Sequence, residues 1–184
     1  SNPNPLTLIS IIIFLLLAKF IRGEKNWFPA ICFLIGLGLQ FEAASAVFFL
    51  PSLLLTLWFF RKPINLDFKN ICFGVGLFGL TLGPQVWFNF RHQNLLFNAF
   101  NRFLFAEKSF GQSPLAIIPD RLAFYFETFT NRFSLSSQPF RWLAITLVLV
   151  GFFKGIQYLW KNDVFRLGLI WILVPIMGLL LYTG

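Results

Sequence analysis

The sequence contains few charged residues. Only 12% of its 184 residues are Asp, Glu, Lys or Arg, whereas about 25% is usual in a soluble domain. So few charges cannot cover the surface of a water-soluble globule of this size, and a disordered chain would contain far fewer apolar residues. The composition therefore excludes an ordinary soluble enzyme and an intrinsically disordered segment.

The residues that build metal sites and disulfides are also scarce. The chain has a single histidine, His92, and two cysteines, Cys32 and Cys72, which both lie in apolar stretches. One histidine cannot form a multi-histidine metal site, and we expect neither a zinc site nor a structural disulfide from these cysteines. The sequence also lacks a P-loop, a GxSxG motif and a CxxC motif.

Apolar residues dominate what remains. They make up 57% of the chain, which includes 27 Phe and 6 Trp. Apolar runs long enough for membrane helices recur along the sequence, which predicts an all-α, polytopic transmembrane bundle of about six spans in a single domain over residues 1–184. We expect the spans at residues 6–21, 27–39, 43–60, 71–90, 142–158 and 167–182. In the fourth span, Gly74, Gly76 and Gly79 are expected to allow close helix packing.

One long polar region, residues 91–141, separates the fourth span from the fifth. Apolar residues recur at helical spacing in two parts of it, which predicts two amphipathic helices on the membrane surface. The first contains Leu96 and Phe100, and the second contains Leu122 and Phe126. We expect the second helix to begin at Pro119-Asp120.

The formal charge is +8, from 15 Lys and Arg against 7 Asp and Glu. Because the basic residues lie mostly between apolar runs, membrane orientation and anionic lipid explain them better than nucleic acid, which we do not expect as a partner. The short basic loops fall on one side and are assigned to the cytoplasm: Lys19, Arg22, Lys25; Arg61, Lys62, Lys69; Lys161, Arg166. The N-terminus, Glu42 and the loop 91–141 are then expected on the non-cytoplasmic side of the membrane.

Glu42 is a candidate functional carboxylate. We place a hairpin turn near Gln40-Phe41-Glu42, since a carboxylate at the bilayer centre costs about 2.5–3.5 kcal/mol on insertion scales. At a membrane face Glu42 could bind a cation, act as a base or pair with an arginine. The alternative is an interfacial carboxylate that only makes hydrogen bonds within the turn.

The fourth span ends in Arg91 and His92 on the same predicted face. An arginine suits phosphate because its planar guanidinium group donates two parallel hydrogen bonds. The alternative is an interface anchor, and a hydrogen-bonding role suits His92 better than metal ligation. Arg102, beside the first amphipathic stripe, is either a headgroup-facing residue or a ligand for the phosphate of a lipid-linked substrate.

Three stretches resemble bacterial membrane glycosyltransferases related to protein O-mannosyltransferases and aminoarabinose transferases, which have the multi-span GT-C fold. Asn2-Pro3-Asn4-Pro5 resembles the family's "NP" start of an apolar span. WFPAICFLIGLGLQFEAASAVFFLP (27–51) resembles its "G-L-x-L-Q-x-H-x-x-A" hairpin, and GPQVWFNFRHQNLLFNAFNRFL (83–104) resembles its "P-x-x-x-F-E-x-R-H-x-x-x-N" stretch. Together the matches cover roughly residues 1–105.

The resemblance implies transfer of a sugar from a polyprenyl-phosphate-linked donor on the outer side of the membrane. Gln40, Arg91 and His92 match the family's glutamine and its R-H pair, so they are expected to bind substrate. Glu42 stands where the family usually has histidine, and Asn89 where it often has glutamate. The family's main catalytic acid lies in an earlier external loop. A divalent metal ion is possible in the complete protein.

The chain is therefore expected to be a middle fragment of a longer protein. Its single methionine is Met177, it begins at Ser1, and it stops at Gly184 directly after an apolar run. The catalytic residue itself is then unknown, and Glu42 is a supporting candidate. Two other functions stay open: a subunit of a transporter or flippase, and a membrane scaffold without enzymatic activity.

Overall fold

The computed structural model describes residues 5–60, 66–101, 114–132 and 138–181, and every regular element in these ranges is helical. The helices are α1 (Pro5–Phe20), α2 (Phe28–Phe41), α3 (Ala43–Ala46), α4 (Phe49–Phe59), α5 (Phe68–Arg91), α6 (Leu95–Asn101), α7 (Pro114–Arg132), α8 (Gln138–Leu159) and α9 (Asp163–Leu181). A short 3-10 turn, Lys25–Trp27, leads into α2. The predicted all-helical class is confirmed for these ranges.

The core forms where α1 packs against α2. The buried residues of α1 recur every three or four positions and so form one stripe: Leu6, Ile9, Ile13, Leu17 and Phe20. A matching stripe on α2 contains Phe28, Ile31, Cys32 and Ile35. The opposite face of α1 is also apolar but exposed, with Leu8, Ile11 and Leu15 more than half accessible. A helix that is apolar on all sides and buries one stripe is typical of a membrane bundle.

Helices α2 and α5 run parallel to each other. Gly74 of α5 lies against Phe28 at the start of α2, whereas Thr81 of α5 lies against Gly36 and Gln40 toward the end of α2. Contacts therefore advance in the same direction along both helices. The starts of the two helices are joined by an ion pair between Lys25 and Asp67, 3.8 Å apart.

Helix α9 runs antiparallel to α4. Near its start, Arg166 lies over the ring of Phe60, 5.5 Å from the centroid. Near its end, Gly178 lies against Phe48, which precedes α4. Helix α9 also contacts α1 and α7, and it therefore joins the beginning of the chain to its last third.

Two of the described helices are long and apolar enough to cross a membrane. They are Phe68–Arg91 (α5) and the segment Pro139–Ile156 of α8, each with a mean hydropathy of 1.5. Only 6% of the α5 window and none of the α8 window is buried within the described protein. These are therefore not the enclosed core helices of a soluble protein, which would hide such residues from solvent. Helices α1 and α4 are apolar but shorter.

Polar groups within the apolar helices bond to their own helix. The hydroxyl groups of Ser52, Thr56 and Thr146 each donate to the carbonyl oxygen four residues earlier, at 2.7–2.8 Å. A hydroxyl group that donates to its own helix in this way can face hydrocarbon without leaving a hydrogen-bond donor unpaired. Tryptophans are exposed near helix ends, as is usual at a membrane–water interface: Trp58, Trp87, Trp142 and Trp160.

Three sequence predictions differ from the structure. Of the three glycines of α5 that were predicted to pack closely, Gly74 does so, but Cβ atoms placed at Gly76 and Gly79 would meet no described atom within 4 Å. The stretch predicted as one span over 43–60 is interrupted by a turn at residues 47 and 48. Helix α7 begins at Pro114 and not at Pro119-Asp120, because proline suits the first helical position and Pro114 occupies it.

Candidate functional site

The end of α2 is tied to the middle of α5 by the side chain of Gln40. Its Nε2 donates a 2.6 Å hydrogen bond to the backbone carbonyl oxygen of Thr81, and both side chains are half-buried. Thr81 lies three residues before Pro84, which is inside α5. Since proline lacks an N–H group, the carbonyl oxygen of Leu80 loses its usual helical donor, and Gln40 supplies a donor to the adjacent carbonyl group, that of Thr81.

A glycine on α2 makes this close approach possible. A Cβ atom at Gly36 would collide with Oγ1 of Thr81 and lie 3.2 Å from the ring of Phe78. The Thr81 hydroxyl donates to the carbonyl oxygen of Phe78 at 2.6 Å, so it brings no unpaired hydrogen to the interface. Gly36 therefore sets the separation at which Gln40 reaches α5. The one signal for this contact in the sequence is a glycine inside an apolar run.

Glu42 breaks the chain between α2 and α3. Its φ and ψ of −155° and 88° are extended, while its carbonyl oxygen already accepts from the N–H of Ala46. The hydroxyl group of Ser45 donates to Oε1 of Glu42 at 2.7 Å. Glu42 is half-buried at this break. The predicted turn near Gln40-Phe41-Glu42 thus coincides with the helix break.

Arg91 and His92 lie at the end of α5, where Arg91 is the last helical residue and both side chains are exposed. Nδ1 of His92 lies 2.9 Å from the carbonyl oxygen of Phe88, and the two rings stack with centroids 4.0 Å apart. Because a carbonyl oxygen only accepts, this hydrogen bond requires the hydrogen on Nδ1. Nε2 of the neutral ring is then the acceptor that faces away from the helix.

The turn after α5 is built by asparagines. Gln93 and Asn94 adopt left-handed φ angles of 55° and 59°, a region in which asparagine is enriched. The Asn89 side chain donates to Oδ1 of Asn94 and accepts from the backbone N–H of Phe97, both at 3.1 Å. Asn89 thus joins α5 to the first turn of α6. In the sequence, Asn89 stands out only as a replacement for glutamate, so this role was not predicted.

Two of the predicted pairs lie at helix ends that point in the same direction. Because α2 and α5 are parallel, Gln40 and Glu42 at the end of α2 face the same way along the bundle as Arg91 and His92 at the end of α5, and we call these two helix ends together the polar end. Thr81, the partner of Gln40, is ten residues before Arg91 in α5. At 1.5 Å per residue, α5 extends about 15 Å farther than the level of Gln40. Arg102 lies outside the described residues.

The polar end does not fit a divalent metal ion. Helices α2, α3, α5 and α6 contain no Asp or Glu residue, so Glu42 is the one carboxylate at this end of the helix pair among the described residues, and His92 is far from it along α5. No group of three or more His, Cys, Asp or Glu side chains suited to a metal occurs in the described ranges. A metal bound by three or more protein ligands would need residues from elsewhere.

Comparison of the chain with protein-family models, curated protein sequences and solved structures yields no match.

Proposed function

We propose that the chain is part of an integral membrane glycosyltransferase that moves a sugar from a polyprenyl-phosphate-linked donor to an acceptor on the non-cytoplasmic face. The observation that supports it most is the parallel packing of α2 and α5. The ends of both helices then point the same way, with Gln40 about 15 Å short of Arg91 along α5. Gln40, Arg91 and His92 are the positions that match the glycosyltransferase family, and Glu42 lies beside Gln40.

The proposal depends on a membrane placement in which α5 and α8 cross the bilayer. Their length, apolar composition and exposure support it. Exposed tryptophans near the helix ends support it as well, because indole rings prefer the headgroup region. The remaining apolar helices would complete a bundle of about six spans, with the basic residues of the short loops in the cytoplasm.

In the proposed reaction, an acceptor oxygen forms a bond to the anomeric carbon while the bond from that carbon to the phosphate oxygen breaks. The polyprenyl phosphate leaves with the electron pair, and a carboxylate outside this chain takes the acceptor proton. Arg91 would bind the leaving phosphate through its guanidinium group, and Nε2 of His92 would accept a substrate hydroxyl. Glu42 would orient the donor or acceptor sugar, and Gln40 would position α2 against α5.

The test is sugar transfer by the protein translated from the complete reading frame, assayed with a set of polyprenyl-phosphate sugars. Arg91→Ala should lower the rate by about 100-fold or more, since removing one charged donor from a transition state has such an effect. Glu42→Gln keeps an acceptor for Ser45 but removes the charge, and it should also lower the rate. Arg22→Ala, in a loop predicted to lie on the other face, is the control and should not.

Unchanged rates in both site variants would overturn the site assignment. The reading frame provides a separate check, because the family's main catalytic acid is expected in an external loop before residue 1. A reading frame that starts at Ser1 would leave the proposed reaction without its base and overturn the enzyme assignment.

A membrane scaffold is the second candidate, and a specific observation favours it. The side chains of Gln40, Asn89 and His92 all make hydrogen bonds to groups of the chain itself, which is what structural residues do. A scaffold predicts that Arg91→Ala and Glu42→Gln have the same activity and stability as the unmodified protein. A transporter predicts functional charges deep within spans, and among the described residues of α8 the sole candidate is Lys154, near the helix end.

A further inference from the structure

An open groove lies between α2 and α5 at the end opposite to the polar end. Its volume is about 450 Å³, and its walls include Asn26, Trp27, Phe33, Asn70, Phe73 and Leu77. On α5 the lining residues recur at intervals of three and four, so they form one face of the helix. Pro29 and Ala30 continue the wall on the α2 side. The groove thus runs along the two parallel helices from their starts toward their ends.

The polarity of the groove changes along its length. The asparagine amides of Asn26 and Asn70 lie at the starts of the two helices, where Trp27 also presents its indole ring. Farther along, Phe33 and Leu77 leave an apolar wall. A ligand that fits has a polar group at the helix starts and a hydrocarbon chain along the helices.

The polar mouth of the groove carries positive charge. Lys25 precedes Asn26, and Lys69 precedes Asn70 and lies four residues before Phe73, on the same helix face. The described charged residues that lie next to the two helix starts in the sequence are four basic and two acidic ones, which leaves a formal charge of +2: Lys19, Arg22, Lys25, Lys69; Glu24, Asp67. The ion pair between Lys25 and Asp67 is long, at 3.8 Å, and about half exposed. Such a pair contributes little, so an anion can compete for Lys25.

We propose that this groove binds one anionic phospholipid of the surrounding bilayer, with its phosphate at Lys25 and Lys69 and one acyl chain against Phe33, Phe73 and Leu77. The proposal rests on the membrane placement proposed above. Charge complementarity selects an anionic headgroup, and the apolar wall selects a lipid over a small soluble anion. A lipid held here stabilises the α2–α5 pair from the end opposite to Gln40.

The test measures binding of phosphatidylglycerol and of phosphatidylcholine to the purified full chain in a neutral detergent. Phosphatidylglycerol should bind more tightly. The double variant Lys25→Gln/Lys69→Gln should weaken phosphatidylglycerol binding by roughly 30-fold, since each lysine near a lipid surface contributes about 1 kcal/mol. Phosphatidylcholine binding should not change. Ala30→Phe, which fills the groove without a change in charge, should weaken binding of both lipids.

The charge-matched control is Lys154→Gln/Lys161→Gln, which removes two lysines that do not line the groove and should leave binding intact. An equal loss in this control would show general surface attraction and overturn the proposal. Displacement of the lipid by glycerol phosphate, which has no acyl chain, would also overturn it. If the chain inserts into vesicles but does not prefer phosphatidylglycerol, the lipid site is wrong. If it does not associate even with phosphatidylcholine vesicles, the membrane placement is wrong too.

Discussion

The side-chain amide of Gln40 donates a 2.6 Å hydrogen bond to the backbone carbonyl oxygen of Thr81, and this bond connects the end of α2 to the centre of α5. One helical turn earlier in α2, Gly36 leaves the space that the Thr81 side chain occupies. A polar side chain that reaches across an apolar interface favours one register of the two helices, because a shift along α5 would break its hydrogen bond. The polar end depends on that register.

Loss of the Gln40 bond should weaken the bundle. Gln40→Met keeps the size of the side chain but removes the donor, and we expect it to lower the free energy of unfolding by about 1 kcal/mol. Leu39→Met is the matched control, since it alters a neighbouring apolar residue without changing a hydrogen bond. Thermal unfolding in detergent measures both. Equal stability of Gln40→Met and the unmodified chain would show that the bond has no net effect.

A larger side chain at Gly36 should separate α2 from α5. Gly36→Leu forces atoms into the space that Thr81 and Phe78 occupy, and overpacking of this kind costs about 1–3 kcal/mol. Gly79→Leu is the control, because Gly79 lies in the same apolar helix pair but faces open space within the described protein. The difference in unfolding temperature between the two variants tests the packing. If Gly79→Leu is the more destabilising variant, this packing arrangement is wrong.

The turn between α5 and α6 should open when Asn89 is removed. Asn89→Ala eliminates its 3.1 Å bonds to Asn94 and to the N–H of Phe97, a loss similar to that of a helix cap, about 1 kcal/mol. Asn98→Ala is the control, as its one side-chain contact in the described turn is 3.5 Å long. We expect faster proteolysis after residues 92–94 in Asn89→Ala alone. Equal cleavage of both variants would contradict this role.

Trp171 should stabilise the contact of α9 with α1 and α4. Its ring stacks on Phe49 with centroids 5.1 Å apart, and its Nε1 donates to Oγ of Ser10 at 3.1 Å. Trp171→Phe keeps an aromatic ring but loses the hydrogen bond, so we expect a loss of about 1 kcal/mol in unfolding free energy. Trp58→Phe, at an exposed position, should cost less. The reverse order would contradict the packing of α9.

Apolar runs and polar breaks in the sequence predicted the helices well. The span predicted over residues 6–21 corresponds to α1 (Pro5–Phe20), and the turn predicted near Gln40-Phe41-Glu42 corresponds to the helix break at Glu42. Both follow from where polar residues interrupt apolar ones. The packing faces could not be predicted in the same way. Helix α5 is apolar on most sides, so its sequence did not show that Gly74 packs against α2 while Gly79 does not. The bond from Gln40 depends on tertiary contacts with no local sequence signal.

We propose that the parallel helices α2 and α5 direct the polar end toward one membrane face. Membrane-impermeant maleimide labelling of intact cells tests it most directly, with single cysteines introduced in a Cys32→Ala/Cys72→Ala background. Three exposed residues suit this experiment, two at the polar end and one at the opposite end. The substitutions are Phe41→Cys and Phe90→Cys at the polar end and Phe68→Cys at the start of α5. We predict that cysteines 41 and 90 are labelled from outside and cysteine 68 only after permeabilisation. Labelling of cysteines 41 and 90 from opposite faces would contradict the account.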